Sequence, residues 1–103
     1  MPRRTAVDLL AKPIQLGYLA GMVTVLRAHG LRVVIYVNDH DPAHVHVFGD
    51  GEAKINLLGD GGSPVLIWAE GMSRGEVRRA LRIVTEEQAA LLARWEEIHG
   101  RAD

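Results

Sequence analysis

The sequence contains no cysteine. Disulfide bonds, thiolate nucleophiles and Cys-rich zinc sites are therefore excluded, and any transition-metal site must be built from imidazole and carboxylate. A long apolar run is also missing. Nothing approaches the roughly 18–20 residues that cross a bilayer, and the opening stretch MPRRTAVDLLAKP has no long apolar block followed by a small-residue cleavage site. The chain is expected to be soluble and cytoplasmic. Nor does one sign of charge dominate. Lys and Arg number 12 against 13 Asp and Glu, a formal net charge of −1, so nucleic-acid binding would need a local basic patch. There is no internal repeat and no low-complexity segment.

What is present amounts to one domain. At 103 residues, 48% hydrophobic and 24% charged, the chain is large enough for one core and too small for two. Residues 1–21 read as an N-terminal arm, a surface extension or peripheral helix, because the apolar segment Ala6 to Ala11 runs into Pro13 and then Gly17 and Gly21. Residues 22–103 read as a single α+β domain. VTVLRA and LRVVIYVN are β-branched runs joined by His29-Gly30, a two-residue link of the kind that closes hairpins. Asn38, Asp39, Asp41 and Pro42 then interrupt the sheet.

HVHVF and EAKINL follow as strands around Gly49-Asp50-Gly51. A type I turn with Gly51 in the left-handed region sets Val47 opposite Ala53 and Val45 opposite Ile55, so that the apolar side chains share one face. A two-residue turn would mix polar and apolar groups, and the hydrophobic pattern selects the longer loop. The same register puts His46 opposite Lys54 and His44 opposite Asn56 on the other face, with Glu52 near the turn. PVLIWA makes the last strand. The expected fold is α+β: an antiparallel sheet of about five strands, linked as hairpins and packed on one or two C-terminal helices.

The helical third begins with Ser73 and Glu76, spaced as a capping box, and Val77, Leu81, Val84, Leu91, Trp95 and Ile98 recur as a buried stripe. Thr85 and Gln88 are candidate caps for a second helix, and a break or kink is expected there. Arg74, Arg78 and Arg82 are spaced four apart with Arg79 beside them. They form either a solvated face or a contact surface for phosphates or an acidic partner.

Three of the five histidines, His40, His44 and His46, fall within DHDPAHVHV. Residues i and i+2 of a strand point to the same side, about 7 Å apart at Cα, so His44 and His46 suit a metal ion. His40, with Asp39 or Asp41 from the turn, would complete a set of imidazole and carboxylate ligands with an open position, fit for Zn or Ni. A metal-free reading is also open. His44 and His46 would act as acid and base with Lys54 stabilising a pentavalent phosphate, the arrangement that cleaves RNA through its 2′-hydroxyl. The plain alternative is a set of polar residues on a half-exposed sheet face, with His40 bonded inside its turn.

DHDPAHVHV followed by GDGEAKI, with VTVLR before it and EEQAALLARWEEIHG after, resembles a bacterial family called domain of unknown function 4160. The resemblance runs from about Met22 to Gly100, in the order Asp-His-x-Pro-Pro-His-x-His, hairpin, and a terminal helix with Leu and Trp. Asp39, His40, Pro42, His44, His46, Ala53, Ile55 and Trp95 are the positions that match, and Ala43 stands where the family usually has a second proline. The resemblance implies a small protein partner encoded by the neighbouring gene, in a toxin–antitoxin-type pair. The expected function is thus a component of such a module that cleaves or binds RNA through the His44, His46 and Lys54 face, with Arg78 and Arg82 on the backbone. Two other readings stand beside it: a non-enzymatic metal-binding or protein-interaction module, and an antitoxin or regulator that binds DNA only in complex. If it is an enzyme, it is a ribonuclease or a metal-dependent hydrolase. Homo-oligomerisation is compatible with each.

Overall fold

The computed structural model of the chain describes residues 7–9 and 21–100. A short strand, Val7–Leu9 (β1), opens an antiparallel sheet that continues through Met22–Ala28 (β2), Leu31–Tyr36 (β3), His44–Phe48 (β4), Glu52–Asn56 (β5) and Val65–Glu70 (β6). Two helices follow, Arg74–Glu86 (α1) and Gln88–His99 (α2). Strand order in the sheet is the order in the chain, and every neighbouring pair is antiparallel. The five strands from Met22 onward are the expected ones. The sixth, β1, pairs Val7 with Ala28 and Leu9 with Leu26. At residues 7–9 the arm is therefore a strand and not a peripheral helix, because the free edge of β2 offers unpaired N–H and C=O groups to an extended segment. Residues 1–6 and 10–20 of the expected arm lie outside the described residues.

The tight links follow from their residues. His29 (φ 52) and Gly30 (φ 78) are consecutive left-handed positions that join Ala28 to its partner Leu31, the type I′ turn whose twist matches the strands it connects. β4 and β5 pair Val47 with Ala53, His46 with Lys54, Val45 with Ile55 and His44 with Asn56, the register the hydrophobic pattern selects. The left-handed conformation expected at Gly51 does not occur, since its φ is not positive. Space is what demands glycine there. A Cβ at Gly51 would run into the Glu70 carbonyl and the Gly71 backbone.

One face of the sheet carries Val33, Ile35, Val45, Val47, Ile55 and Leu57, all fully buried. They form a single core with Ala80, Ile83, Val84, Leu91 and Trp95 from the helices. Burying each such aliphatic side chain is worth about 1.5–3 kcal/mol. The helical stripe is rotated from the expected one: Val84, Leu91 and Trp95 are buried and Leu81 and Ile98 pack at the margin, but Val77 is only half-buried and Glu76, Ala80 and Ile83 face inward.

Glu76 explains the rotation. The Ser73 hydroxyl accepts from the Glu76 N–H at 3.1 Å, as a cap should, but the Glu76 carboxylate accepts from the Asp50 N–H at 2.9 Å and does not return to Ser73. The expected capping box is half-formed, and its other half ties α1 to the β4–β5 turn. The break between helices comes at Glu87 (φ −106, ψ 19), where a break was expected. Neither Thr85 nor Gln88 caps it. Thr85 lies within α1, and the Gln88 amide donates to Leu57 O (2.7 Å) and Gly62 O (2.9 Å), pinning α2 to the loop after β5.

Candidate metal centre

With Val45 and Val47 committed to the core, the alternation of β4 sends His44 and His46 to the opposite face. The turn after β3, in which the Asp39 N–H donates to Tyr36 O and Asp41-Pro42 is cis, brings Asp39 back beside them. Asp39 Oδ2 stands 2.9 Å from His44 Nε2 and 3.7 Å from His46 Nε2. One ligand atom from each of the three residues lies within 4.8 Å of the other two.

The remaining ring nitrogens decide where the protons are. His44 Nδ1 lies 2.8 Å from the Pro42 carbonyl, which can only accept, and His46 Nδ1 lies 3.0 Å from the Glu52 carboxylate. Both Nδ1 atoms therefore donate. In a neutral imidazole Nε2 is then a bare lone pair, and here both Nε2 atoms face the same carboxylate oxygen. Lone pair against carboxylate repels unless a positive centre, a proton or a metal ion, lies between them. Burial pushes His46 below the ordinary histidine range against the opposing hydrogen bond to Glu52, which favours its neutral, ligand form.

The two carboxylate-to-imidazole distances suit an ion, and the ligand atoms of the imidazole pair lie within 4.8 Å of each other. Ligand atoms at the ~2.0–2.1 Å of zinc sites stand about 3.4 Å apart in a tetrahedron, and the observed 2.9 and 3.7 Å bracket that value. The surroundings fit as well. A metal-bound histidine usually donates its other N–H to a carboxylate or backbone carbonyl, as His46 does to Glu52 and His44 to Pro42. Aromatic rings fix both imidazoles: Trp95 packs 5.1 Å from His44, while Tyr36 at 4.7 Å and Trp68 at 6.0 Å meet His46 edge-on. Burial, then the charges of Glu52 and Asp39, raise the Tyr36 phenol above its ordinary range, so it stays neutral beside the site.

Of the residues marked in the sequence, Asp39, His44 and His46 come together and His40 does not. His40 is exposed, its Nδ1 donating to Asp41 O at 3.0 Å within the turn, and it is no member of the ligand group. Lys54 lies across from His46 in the ladder, and its ammonium makes no hydrogen bond or ion pair with a described residue. Arg74, Arg78, Arg79 and Arg82 are exposed on α1; Arg79 and Arg82 line a concavity of about 230 Å³ with His29, Ile83 and Glu86, which His44 and His46 do not line.

Sequence reasoning missed three supports of the site: the Glu52 bond to His46, the Tyr36 contact and Trp68. Glu52 sits diagonally across the β4–β5 ladder, two pairs beyond Lys54 and on the same face, so the hairpin register contained a signal for it. For Trp68 there was none, because the β5–β6 register shifts between Lys54 and Ile55.

A family model described as Domain of unknown function (DUF4160) matches residues 30–96. The chain belongs to that family. No curated protein and no solved structure matches it. The DUF4160 segment contains Asp39, His44, His46, Glu52, Tyr36, Lys54, Trp68 and Trp95, so the whole candidate centre lies inside it, whereas β1 and β2 precede it.

Proposed function

We propose that this DUF4160 protein is a divalent transition-metal-binding module in which His44 Nε2, His46 Nε2 and a carboxylate oxygen of Asp39 are the ligands. The observation that carries this reading is the convergence of His44 Nε2 and His46 Nε2 on Asp39 Oδ2 while both Nδ1 atoms are bonded to acceptors. Two imidazoles and a carboxylate leave a fourth position free, and an ion so held supplies Lewis acidity to a ligand oxygen. Against the metal-free pairing of His44 and His46 as base and acid stands the packing of His44: its side chain is 5% exposed, its Nδ1 is bonded to Pro42 O and its Nε2 is turned inward onto Asp39. In the two-gene, toxin–antitoxin-type setting that the family resemblance favours, the ion serves hydrolysis or orders the Asp39–His44 turn. RNA cleavage by the loaded protein marks the first use, and stabilisation without cleavage the second.

The test is calorimetric titration of chelator-stripped protein with zinc and nickel. One ion per chain should bind more tightly than micromolar, and Asp39→Asn or His46→Gln should lose that affinity with an unchanged far-ultraviolet circular dichroism spectrum. Glu52→Ala, which removes only the outer hydrogen bond, should weaken binding by about 10- to 100-fold. Absence of binding by the wild-type chain would refute the reading.

A further inference from the structure

His46, Lys54 and Trp68 stand side by side on three adjacent strands, since His46 pairs with Lys54 and Lys54 with Trp68. Trp68 lies outside the hydrophobic core and is 37% exposed, yet its ring is held 6.0 Å from that of His46 at an interplanar angle of 64°. An aromatic ring left in solvent beside a polar site is a stacking surface, and every nucleobase offers a π-face to it. The charges complete the pattern. Two carboxylates, Asp39 and Glu52, stand at the imidazoles, with Lys54 and Arg32 as cations of the same face; a divalent ion between the imidazoles adds two positive charges and turns the place into an anion site.

We propose that the open position of the metal centre receives the phosphate of a nucleoside phosphate, with Lys54 as its second cationic contact and the base stacked on Trp68. This rests on the metal reading above. The ligand is a free nucleotide or one unit of a single strand, and both present the same phosphate and base. Binding is conditional on the ion because the base gains only a stacking contact, while the phosphate meets the Asp39 and Glu52 carboxylates at the imidazoles until the ion arrives to coordinate it.

The experiment is a titration of zinc-loaded and chelator-stripped protein, followed by tryptophan fluorescence. Trp95, only 4% exposed, contributes a background that the ligand does not reach, so quenching reports on Trp68. Zinc binding is first measured alone on each variant. With zinc present, adenosine 5′-monophosphate should quench the emission and bind about tenfold or more tightly than inorganic phosphate, and the stripped protein should show neither effect. Trp68→Ala should erase the advantage of the nucleotide over phosphate while retaining zinc, and Trp68→Phe should restore part of it. Lys54→Met should weaken nucleotide and phosphate by the same factor. An eight-residue single-stranded RNA that binds more tightly than the mononucleotide assigns a strand as the source; equal affinity assigns the free nucleotide. If zinc binds and the nucleotide does not, or binds Trp68→Ala equally well, this inference is overturned and the metal reading stands. Failure of zinc to bind, visible before any nucleotide is added, overturns both.

Discussion

At the scale of single residues, two histidines four positions apart have opposite fates. His40 is exposed and bonds only to the carbonyl of its own neighbour, whereas His44 is 4% exposed and wedged between Pro42 O, Asp39 and Trp95. Removing a buried group that donates to the Pro42 carbonyl and fills space against a ring costs the lost packing and strands that carbonyl. His44→Ala should therefore lower stability by about 2–4 kcal/mol, read from the urea midpoint. His40→Ala should leave the midpoint and the zinc affinity where they were; a fall in zinc affinity would return His40 to the ligand set. In the sequence the two are equivalent members of one motif. Distinguishing them takes the course of the turn, which lets Asp39 reach His44 and His46 and leaves His40 pointing into solvent.

At the scale of elements, hairpins with an unbroken two-residue alternation were legible and those with irregularities were not. β4 and β5 each alternate without interruption, and only one register keeps Val45, Val47, Ala53 and Ile55 on one face, so the cross-strand neighbours of His44 and His46 follow from the pattern. The shift between Lys54 and Ile55 erases that logic for β6, and with it the position of Trp68. Gly51 shows how a correct register can rest on a wrong local reason: the turn closes without a left-handed residue, and glycine is needed because the end of β6 presses on it. Gly51→Ala should cost at least about 2 kcal/mol through that clash. Gly61→Ala, where a Cβ meets nothing within 4 Å and φ is not positive, should be neutral or stabilising by up to about 1 kcal/mol. Equal urea midpoints for the two variants would remove the close approach at Gly51 as the explanation.

At the scale of the whole molecule, the helices occupy one face of the sheet and the histidines the other, joined at the sheet end where Trp95 of α2 reaches His44. His99 strengthens that junction, with its ring nitrogens 3.1 Å from Trp95 O and 3.0 Å from Tyr36 O. Among the described residues no helix is long and apolar enough to cross a membrane. Because the proposed ligands come from the turn after β3 and from β4, an ion that binds the folded chain and not the unfolded one must stabilise the fold as a whole. At a free concentration a hundredfold above its dissociation constant the gain is about 2.7 kcal/mol. For a domain of this size that corresponds to a rise in Tm of roughly 10–20 °C. Asp39→Asn should show no such rise under the same zinc concentration, and an equal rise in both proteins would mean that the ion binds elsewhere.

The sequence by itself determined the α+β class, the hairpin succession from Met22, the register of β4 on β5, the site of the helix break and the chemical identity of any metal ligand, which without cysteine had to be imidazole or carboxylate. Each of these rests on local period, turn chemistry or composition, and those act between residues close in the chain. Only the tertiary structure decided which imidazoles converge, which carboxylate joins them, and which rings surround them. Those choices depend on contacts such as Trp95 with His44 and Glu76 with Asp50, between residues far apart in the chain. A pattern of hydrophobic periodicity has no means of recording such distances.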